Sequence, residues 1–331
     1  MIVHLKKSVS GEQAQQLADK YQSVLFENGG MILVTPSKLK AVDEELKLLS
    51  DQVFVTDTDI QLASKQYIGS QRKIDINGVS IGGNTKNTLV ITGPCSVESE
   101  EQIESAAQLC VELGIKILRA GAYKPRTSPY TFQGLGLEGL KLLDKMRSKY
   151  GLKIITEVRD STHADEVIEY ADIIQIGAKS MYDHGILRKC GASRKPILLK
   201  RGFGTTLQEF VQSAEFILSG GNANVMLCER GIRTFETKTR FTLDLCGVAW
   251  LKQNTNLPVI LDPSHAIGYA YGVPDLSRAC VAMGIDGLLI ESHPNPKVAK
   301  SDADQQLNFE EFRSLHATLK TVATAVGYTL V

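Results

Sequence analysis

Residues 196–231 read PILLKRGFGTTLQEFVQSAEFILSGGNANVMLCERG, and the organisation of the chain follows from this stretch. Pro196–Leu199 is a short apolar run that ends abruptly in Lys200-Arg201-Gly202. From Thr206 to Leu218 the period changes to that of a helix. Leu207, Phe210, Val211, Ala214, Ile217 and Leu218 share one face, opened by a capping box of Thr206 with Glu209. Gly220 stands where a left-handed C-cap is wanted. Asn224–Leu227 is a second apolar run, and it too ends in charge, at Glu229-Arg230-Gly231. Two near-continuous apolar strands joined by an amphipathic helix make a βαβ unit, the element of a parallel sheet covered by helices.

The same unit recurs on both sides. Strand-like runs lie at Thr88–Thr92, Lys116–Leu118, Lys153–Thr156 and Asp172–Ile176 before it, and at Pro258–Leu261 and Gly287–Ile290 after it. Helical spacing separates them, as in Ser99–Leu113, with Ser99 and Gln102 as a second capping box and Gly114, Gly151, Gly191 and Gly284 near helix ends. Eight strands strictly alternating with eight helices over residues 87–331 fit a (β/α)8 TIM barrel, whose usual size is about 250 residues. An open doubly wound sheet shares the alternation, but no Gly-x-Gly-x-x-Gly turn follows the first strand.

Residues 1–66 follow another pattern. A strand at Ile2–Leu5, a helix at Gln13–Tyr21, strands at Ser23–Phe26 and Met31–Val34, a helix at Lys38–Leu49 and a strand at Gln52–Thr56 give β-α-β-β-α-β. That order predicts a small ferredoxin-like domain. Residues 67–86 read as a linker with a hairpin, Lys73–Ile76 and Val79–Ile81 around Asn77-Gly78.

Lys plus Arg and Asp plus Glu both number 37, so the chain has no basic excess for nucleic acid or a membrane surface. No apolar stretch approaches the roughly 20 residues needed to cross a bilayer. The N-terminus lacks the pattern of a signal peptide, so a cytoplasmic location is expected. Six scattered cysteines without a Cys-x-x-Cys pair read as reduced thiols.

A barrel of this kind carries its chemistry at the C-terminal ends of its strands. Reading those positions gives Arg119, Lys124, Arg126, Lys179, Lys200, Arg201, Arg230 and Arg233 at one mouth. A single such cation is ordinarily solvated surface charge. Recurrence at the same end of four strands is the footprint of a small anion with more than one phosphate or carboxylate. Cys95, His265 and Glu291 end strands 1, 7 and 8, which are neighbours when the barrel closes, and Asp302 or Asp304 could join them. Each alone is ordinary: a buried thiol, a hydrogen-bonded histidine. Together they form a mixed soft and hard set suited to Mn, Fe, Co or Zn, and less to Mg. A Cys95–His265 nucleophile pair is the alternative, and it leaves Glu291 and the cations without a role.

Gly93-Pro94-Cys95-Ser96, Lys124-Pro125-Arg126-Thr127-Ser128-Pro129, Lys200-Arg201-Gly202, Glu229-Arg230-Gly231-Ile232-Arg233-Thr234 and Asp262-Pro263-Ser264-His265 occur in that order. Together they resemble the 3-deoxy-arabino-heptulosonate 7-phosphate (DAHP) synthase family, in its short microbial subtype. The resemblance covers the whole barrel, and the Lys-Pro-Arg-Thr-Ser run is its most specific part. It implies condensation of phosphoenolpyruvate with erythrose 4-phosphate. It implies metal ligands Cys95, His265, Glu291 and Asp302, with Ser301-Asp302 fitting the family pattern better than Asp304. Arg119, Lys124, Lys179, Lys200 and Arg230 would hold phosphoenolpyruvate. Lys179 departs from the pattern, since the family usually has arginine there. Arg126, Thr127, Ser128 and Asp262 would receive erythrose 4-phosphate, while Glu157 and Lys124 would position water and move protons. The metal would polarise the aldehyde oxygen.

The resemblance further implies a homo-oligomer, dimer or tetramer, and an N-terminal domain that binds tyrosine or phenylalanine as inhibitor. Two rivals are 3-deoxy-manno-octulosonate 8-phosphate synthase, a related barrel using arabinose 5-phosphate, and a non-catalytic barrel that senses phosphometabolites. The first does not carry Lys-Pro-Arg-Thr-Ser. The second is favoured by loss of a metal ligand, and here all four positions are filled.

Overall fold

The chain enters the fold through a four-stranded antiparallel sheet. Its elements are β1 (Ile2–Leu5), α1 (Gly11–Lys20), β2 (Val24–Glu27), β3 (Met31–Val34), α2 (Glu44–Leu49) and β4 (Ser50–Phe54), with strand order β2-β3-β1-β4. The molecule is described from a computed structural model, which covers residues 1–124 and 128–331. Met1, Val3, Leu5, Leu17, Leu33 and Leu46 bury one face of the sheet against the two helices. The second helix is shorter than the expected Lys38–Leu49. Asp43 caps it by accepting from Leu46 N at 2.9 Å, which fixes the start at Glu44. Leu39 and Val42 still pack on this core, from backbone that is not helical.

A hairpin follows, β5 (Lys73–Ile76) and β6 (Val79–Gly82), turning at Asn77 and Gly78, both at positive φ. It is the floor of the barrel. Ile74, Ile76 and Ile81 fill the interior together with Leu89, Ile117 and Ile155 from the strands above.

The barrel strands are β7 (Asn87–Gly93), β8 (Ile117–Arg119), β9 (Lys153–Val158), β10 (Ile173–Ile176), β11 (Ile197–Lys200), β12 (Val225–Glu229), β13 (Val259–Leu261) and β14 (Gly287–Glu291). All pair in parallel with their sequence neighbours, and β14 closes on β7 with Glu291 beside Gly93. The closed (β/α)8 TIM barrel expected from the alternation is therefore present. Around it run α3 (Glu100–Leu113), α4 (Leu137–Tyr150), α5 (Ala164–Tyr170), α6 (His184–Ala192), α7 (Leu207–Ser219), α8 (Leu245–Asn254), α9 (Pro263–Ile267), α10 (Val273–Ala282) and α11 (Phe309–Ala325). A short strand, β15 (Thr329–Leu330), adds to β7.

One helix more than expected arises at Asp262-Pro263-Ser264-His265. Asp262 Oδ1 accepts from His265 N at 3.0 Å and Pro263 stands in the first turn, so the motif is a capped helix start. The capping box at Thr206 is complete. At Ser99 only half of it forms, because Gln102 turns its side chain to Ser96 O and Glu98 N. Gly114, Gly151 and Gly284 take the left-handed conformation, whereas Gly191 and Gly220 do not. Those two are there because α6 and the end of α7 touch: a Cβ on Gly220 would lie 2.9 Å from Gly191 Cα.

Residues 61–72 are stitched to the barrel. Glu215 on α7 accepts from Gln61 N, Leu62 N and Ala63 N at 2.8, 3.1 and 2.8 Å. Asn256 donates to Leu62 O and Ser64 O, and accepts from Arg72 Nε at 2.9 Å. The small sheet thus stands beside α7 and the loop before β13, at the N-terminal end of the strands.

Candidate active site

At the opposite end six of the eight strands stop at or directly before a charged residue, β7 and β10 being the exceptions, and the charged side chains converge. Cys95 is fully buried, with Sγ 3.0 Å from Ser301 Oγ, 3.0 Å from Lys124 Nζ and 3.2 Å from Asp302 Oδ2. One ligand atom each from Cys95, Glu291 and Asp302 lie within 4.8 Å of one another. His265 borders this trio, its Nε2 3.5 Å from Glu291 Oε1. Its Nδ1 is 2.7 Å from Asp262 Oδ2 but not aligned as a hydrogen bond, so that buried nitrogen lacks a hydrogen-bond partner. Asp304 is exposed and outside the trio.

The electrostatics of the trio fit a divalent cation. Burial pushes the Cys95 thiol up to about 12, with Glu291 adding to the shift and Lys124 opposing it. A bare thiolate is therefore unfavourable here, and a metal ion is the charge that would reverse this. Burial also lowers His265 below its ordinary 6.5, which keeps the imidazole neutral and able to ligate. Burial alone would raise Glu291, but His265 while protonated, and Arg119 throughout, outweigh it and lower the carboxyl. Asp302 sits in the left-handed region, at φ 45° and ψ 45°. Such a conformation costs about 1–3 kcal/mol and persists only where the surroundings impose it.

Beside the trio is a cavity lined by Lys124, Lys179, Lys200, Arg230, Glu157 and His265, with Phe203, Arg240 and Phe241 on its outer wall. Gly177 leaves room for Glu157, since a Cβ there would lie 1.9 Å from Glu157 Oε1. Gln175 Nε2 holds the other oxygen of Glu157 at 2.9 Å. Arg230 stacks on Phe241, 4.4 Å from the ring centre, and its buried Nη1 has no partner.

Other expected contacts fall differently. Arg119 gives Nη1 to Glu291 Oε1 at 2.7 Å and Pro94 O at 2.8 Å, leaving a buried Nε without a partner. Asp262 is fully buried, between Lys200 Nζ at 2.5 Å and His265, rather than on the cavity wall. Ser128 is engaged within its own turn, with Tyr130 N on its Oγ and Gln133 Nε2 on its carbonyl. Arg126 and Thr127 lie outside the described residues. Arg201, counted among the mouth cations, is neutralised by Glu229 and Asp244 at 3.0 and 2.8 Å. Arg233 is exposed and stacks on Phe203.

Sequence reasoning missed Arg240. It follows β12 within a polar stretch, Thr237-Lys238-Thr239, where no pattern marks it.

The DAHP synthetase I family matches residues 59–327. The phospho-2-dehydro-3-deoxyheptonate aldolase of Thermotoga maritima is 46% identical over 267 residues, covering 81% of this chain and 78% of the relative. The crystal structure of that aldolase (DAHP synthase) from Thermotoga maritima superposes with a TM-score of 0.81 at 39% identity, covering 100% of this chain and 99% of that one. The 2-dehydro-3-deoxyphosphooctonate aldolase of Methylobacillus flagellatus is more distant, at 33% identity over 69% of this chain and 88% of the relative. With a family match across the whole barrel and a relative of this identity, the chain belongs to the DAHP synthetase I family.

Proposed function

We propose that the chain condenses phosphoenolpyruvate with erythrose 4-phosphate and water, giving DAHP and phosphate, the first step of aromatic amino-acid biosynthesis. The observation that carries this reading is a thiol–carboxylate trio opening onto a cavity walled by Lys124, Lys179, Lys200, Arg230 and Arg240. Cys95, His265, Glu291 and Asp302 would hold a divalent metal, and the soft thiolate favours Mn, Fe, Co or Zn over Mg. When bound, the metal supplies Lewis acidity at the aldehyde oxygen.

The protein's own groups do the rest. Lys200 and Arg230 bind the phosphate of phosphoenolpyruvate, and the unpartnered Arg230 Nη1 is an available donor. Lys124 and the free Nε of Arg119 take the carboxylate, with Lys179 closing the same wall. C3 of phosphoenolpyruvate forms the new bond to the aldehyde carbon, and positive charge develops at C2. Water adds at C2 and gives a proton to Glu157, while Lys124 delivers a proton to the new alkoxide. Phosphate then leaves by C–O cleavage into the same cation pair as the C2 hydroxyl returns its proton to Lys124 and becomes the ketone. Arg126 and Thr127 would take the phosphate end of the aldehyde.

The octulosonate 8-phosphate reading has support in the relatives at about one-third identity. Steady-state consumption of phosphoenolpyruvate with each aldehyde separates the two. If a longer aldehyde displaces its carbonyl even 1 Å, the rate falls on the order of 10²-fold. kcat/KM should favour erythrose 4-phosphate over arabinose 5-phosphate by that margin, and equal values would defeat the assignment.

For the assembly we propose a cytoplasmic homo-oligomer, dimer or tetramer, whose small N-terminal sheet unit binds tyrosine or phenylalanine. Among the described residues no helix is long and apolar enough to cross a membrane.

A further inference from the structure

Two adjacent glutamines in the loop after β14 stand behind the trio. Both are 1% exposed. Gln306 Oε1 accepts from Cys95 N at 3.0 Å, and its Nε2 donates to Ser301 O at 2.8 Å. Gln305 Nε2 donates to Glu291 Oε2 at 2.6 Å, and its Oε1 accepts from Arg240 Nη1 at 2.7 Å. Both amide orientations are dictated by their partners, because a backbone N–H and a guanidinium can only donate, and a carbonyl and a carboxylate can only accept.

These four bonds surround the strained residue. Gln306 fixes the carbonyl immediately before Asp302 and ties it to the backbone of Cys95. Gln305 and Asp302 both contact Arg240, whose Nη1 is 3.4 Å from Asp302 Oδ1. A loop of six residues, 301–306, is thereby held to two different barrel strands at the points where Cys95 and Glu291 leave them. Burial of two primary amides in one loop is costly unless they are hydrogen-bonded, and here the carbonyl and one N–H of each go to the trio and its neighbours.

We infer that Gln305 and Gln306 are positioning residues that preorganise Cys95, Glu291 and Asp302 for a divalent cation, and that Gln305 links this cluster to Arg240 on the cavity wall. The inference rests on the reading of that cluster as a metal site. Groups that orient ligands in this way ordinarily change metal affinity about 10- to 100-fold when removed.

Cobalt(II) titration of the full chain tests it, read by the thiolate-to-cobalt charge-transfer band and the visible d–d bands. The unsubstituted protein should show the thiolate band, and Cys95→Ser should abolish it. If the unsubstituted protein shows none, the metal reading itself fails. Gln305→Leu and Gln306→Leu should each weaken cobalt binding at least about 10-fold and shift the d–d bands, while the metal-free proteins melt within a few degrees of the unsubstituted chain. Gln306→Glu keeps the acceptor for Cys95 N but loses the donor to Ser301 O, and Gln305→Glu keeps the acceptor for Arg240 but loses the donor to Glu291. These two decide the matter if the leucine variants do not fold, and both should weaken binding. Unchanged affinity and spectrum in the folded glutamine variants, with the cobalt band intact in the unsubstituted chain, would overturn the inference and leave the metal site standing.

Discussion

Lys200 and Asp262 show how one pair can serve two purposes. The carboxylate is wholly enclosed, and burial alone would raise it, yet His265 while protonated, and Lys200, hold it well below the usual carboxylate range. Lys200 also lines the cavity, so it is proposed both to neutralise Asp262 and to bind substrate phosphate. Replacing it by methionine strands a buried charge, and breaking such a pair costs about 3–5 kcal/mol. Lys200→Met should therefore lower the unfolding free energy by that amount and reduce kcat/KM at least about 100-fold, a scale typical of lost charge stabilisation. The double change Lys200→Met with Asp262→Asn should recover most of the stability in denaturant melts but none of the activity. Recovery of both would mean that Lys200 only compensates Asp262.

Element by element, the sequence was readable wherever one physical demand set the residue type. The barrel strands were located to within a residue or two because a strand covered on both faces must be apolar throughout, and its end is marked by the first charge, as at Lys200 or Glu291. Cys95 and Glu291 were legible, with His265 beside them, because strand ends that close on one another carried them, whereas Asp302, in the loop after β14, was told from Asp304 only by the family resemblance. Arg240, Gln305 and Gln306 were not, because a buried amide or a loop cation is defined only by what the fold brings against it. The glycines 191 and 220 illustrate the same limit: position near a helix end suggested a C-cap, but the helix contact required them. Gly220→Ala should destabilise the protein by about 1–3 kcal/mol, the usual cost of overpacking, despite an ordinary φ of −79°. Thermal melting without loss of that size would return Gly220 to the role of a simple helix end.

At the scale of the whole molecule, the small sheet and the proposed active site occupy opposite ends of the barrel, so the proposed feedback through residues 1–56 would pass through the contacts of the sheet with the barrel, the seam at Glu215 among them. Its carboxylate accepts three consecutive backbone N–H groups from residues 61–63. A chain starting near Ser70 would delete those donors and leave Glu215 unsatisfied, at about 1–3 kcal/mol for such a group. One starting at Asp59, where the family match begins, keeps them. We therefore expect the Asp59 start to give a stable, active barrel that tyrosine or phenylalanine no longer inhibits, and the Ser70 start to melt several degrees lower. The seam also has a pH signature. Burial pushes Glu215 from its ordinary 4.5 up to about 7, against the pull of the backbone N–H groups and Arg72. Between those values the folded chain retains a proton that the unfolded chain has released, so stability falls as pH rises from about 4.5 to about 7. Glu215→Gln cannot titrate, and its melting temperature should change less across that window than that of the unsubstituted chain. The amide also presents an NH2 to one of the backbone donors, which should loosen the joint and weaken inhibition while leaving uninhibited kcat unchanged. Inhibition that survives both Glu215→Gln and the Asp59 start would show that the signal does not pass through this seam.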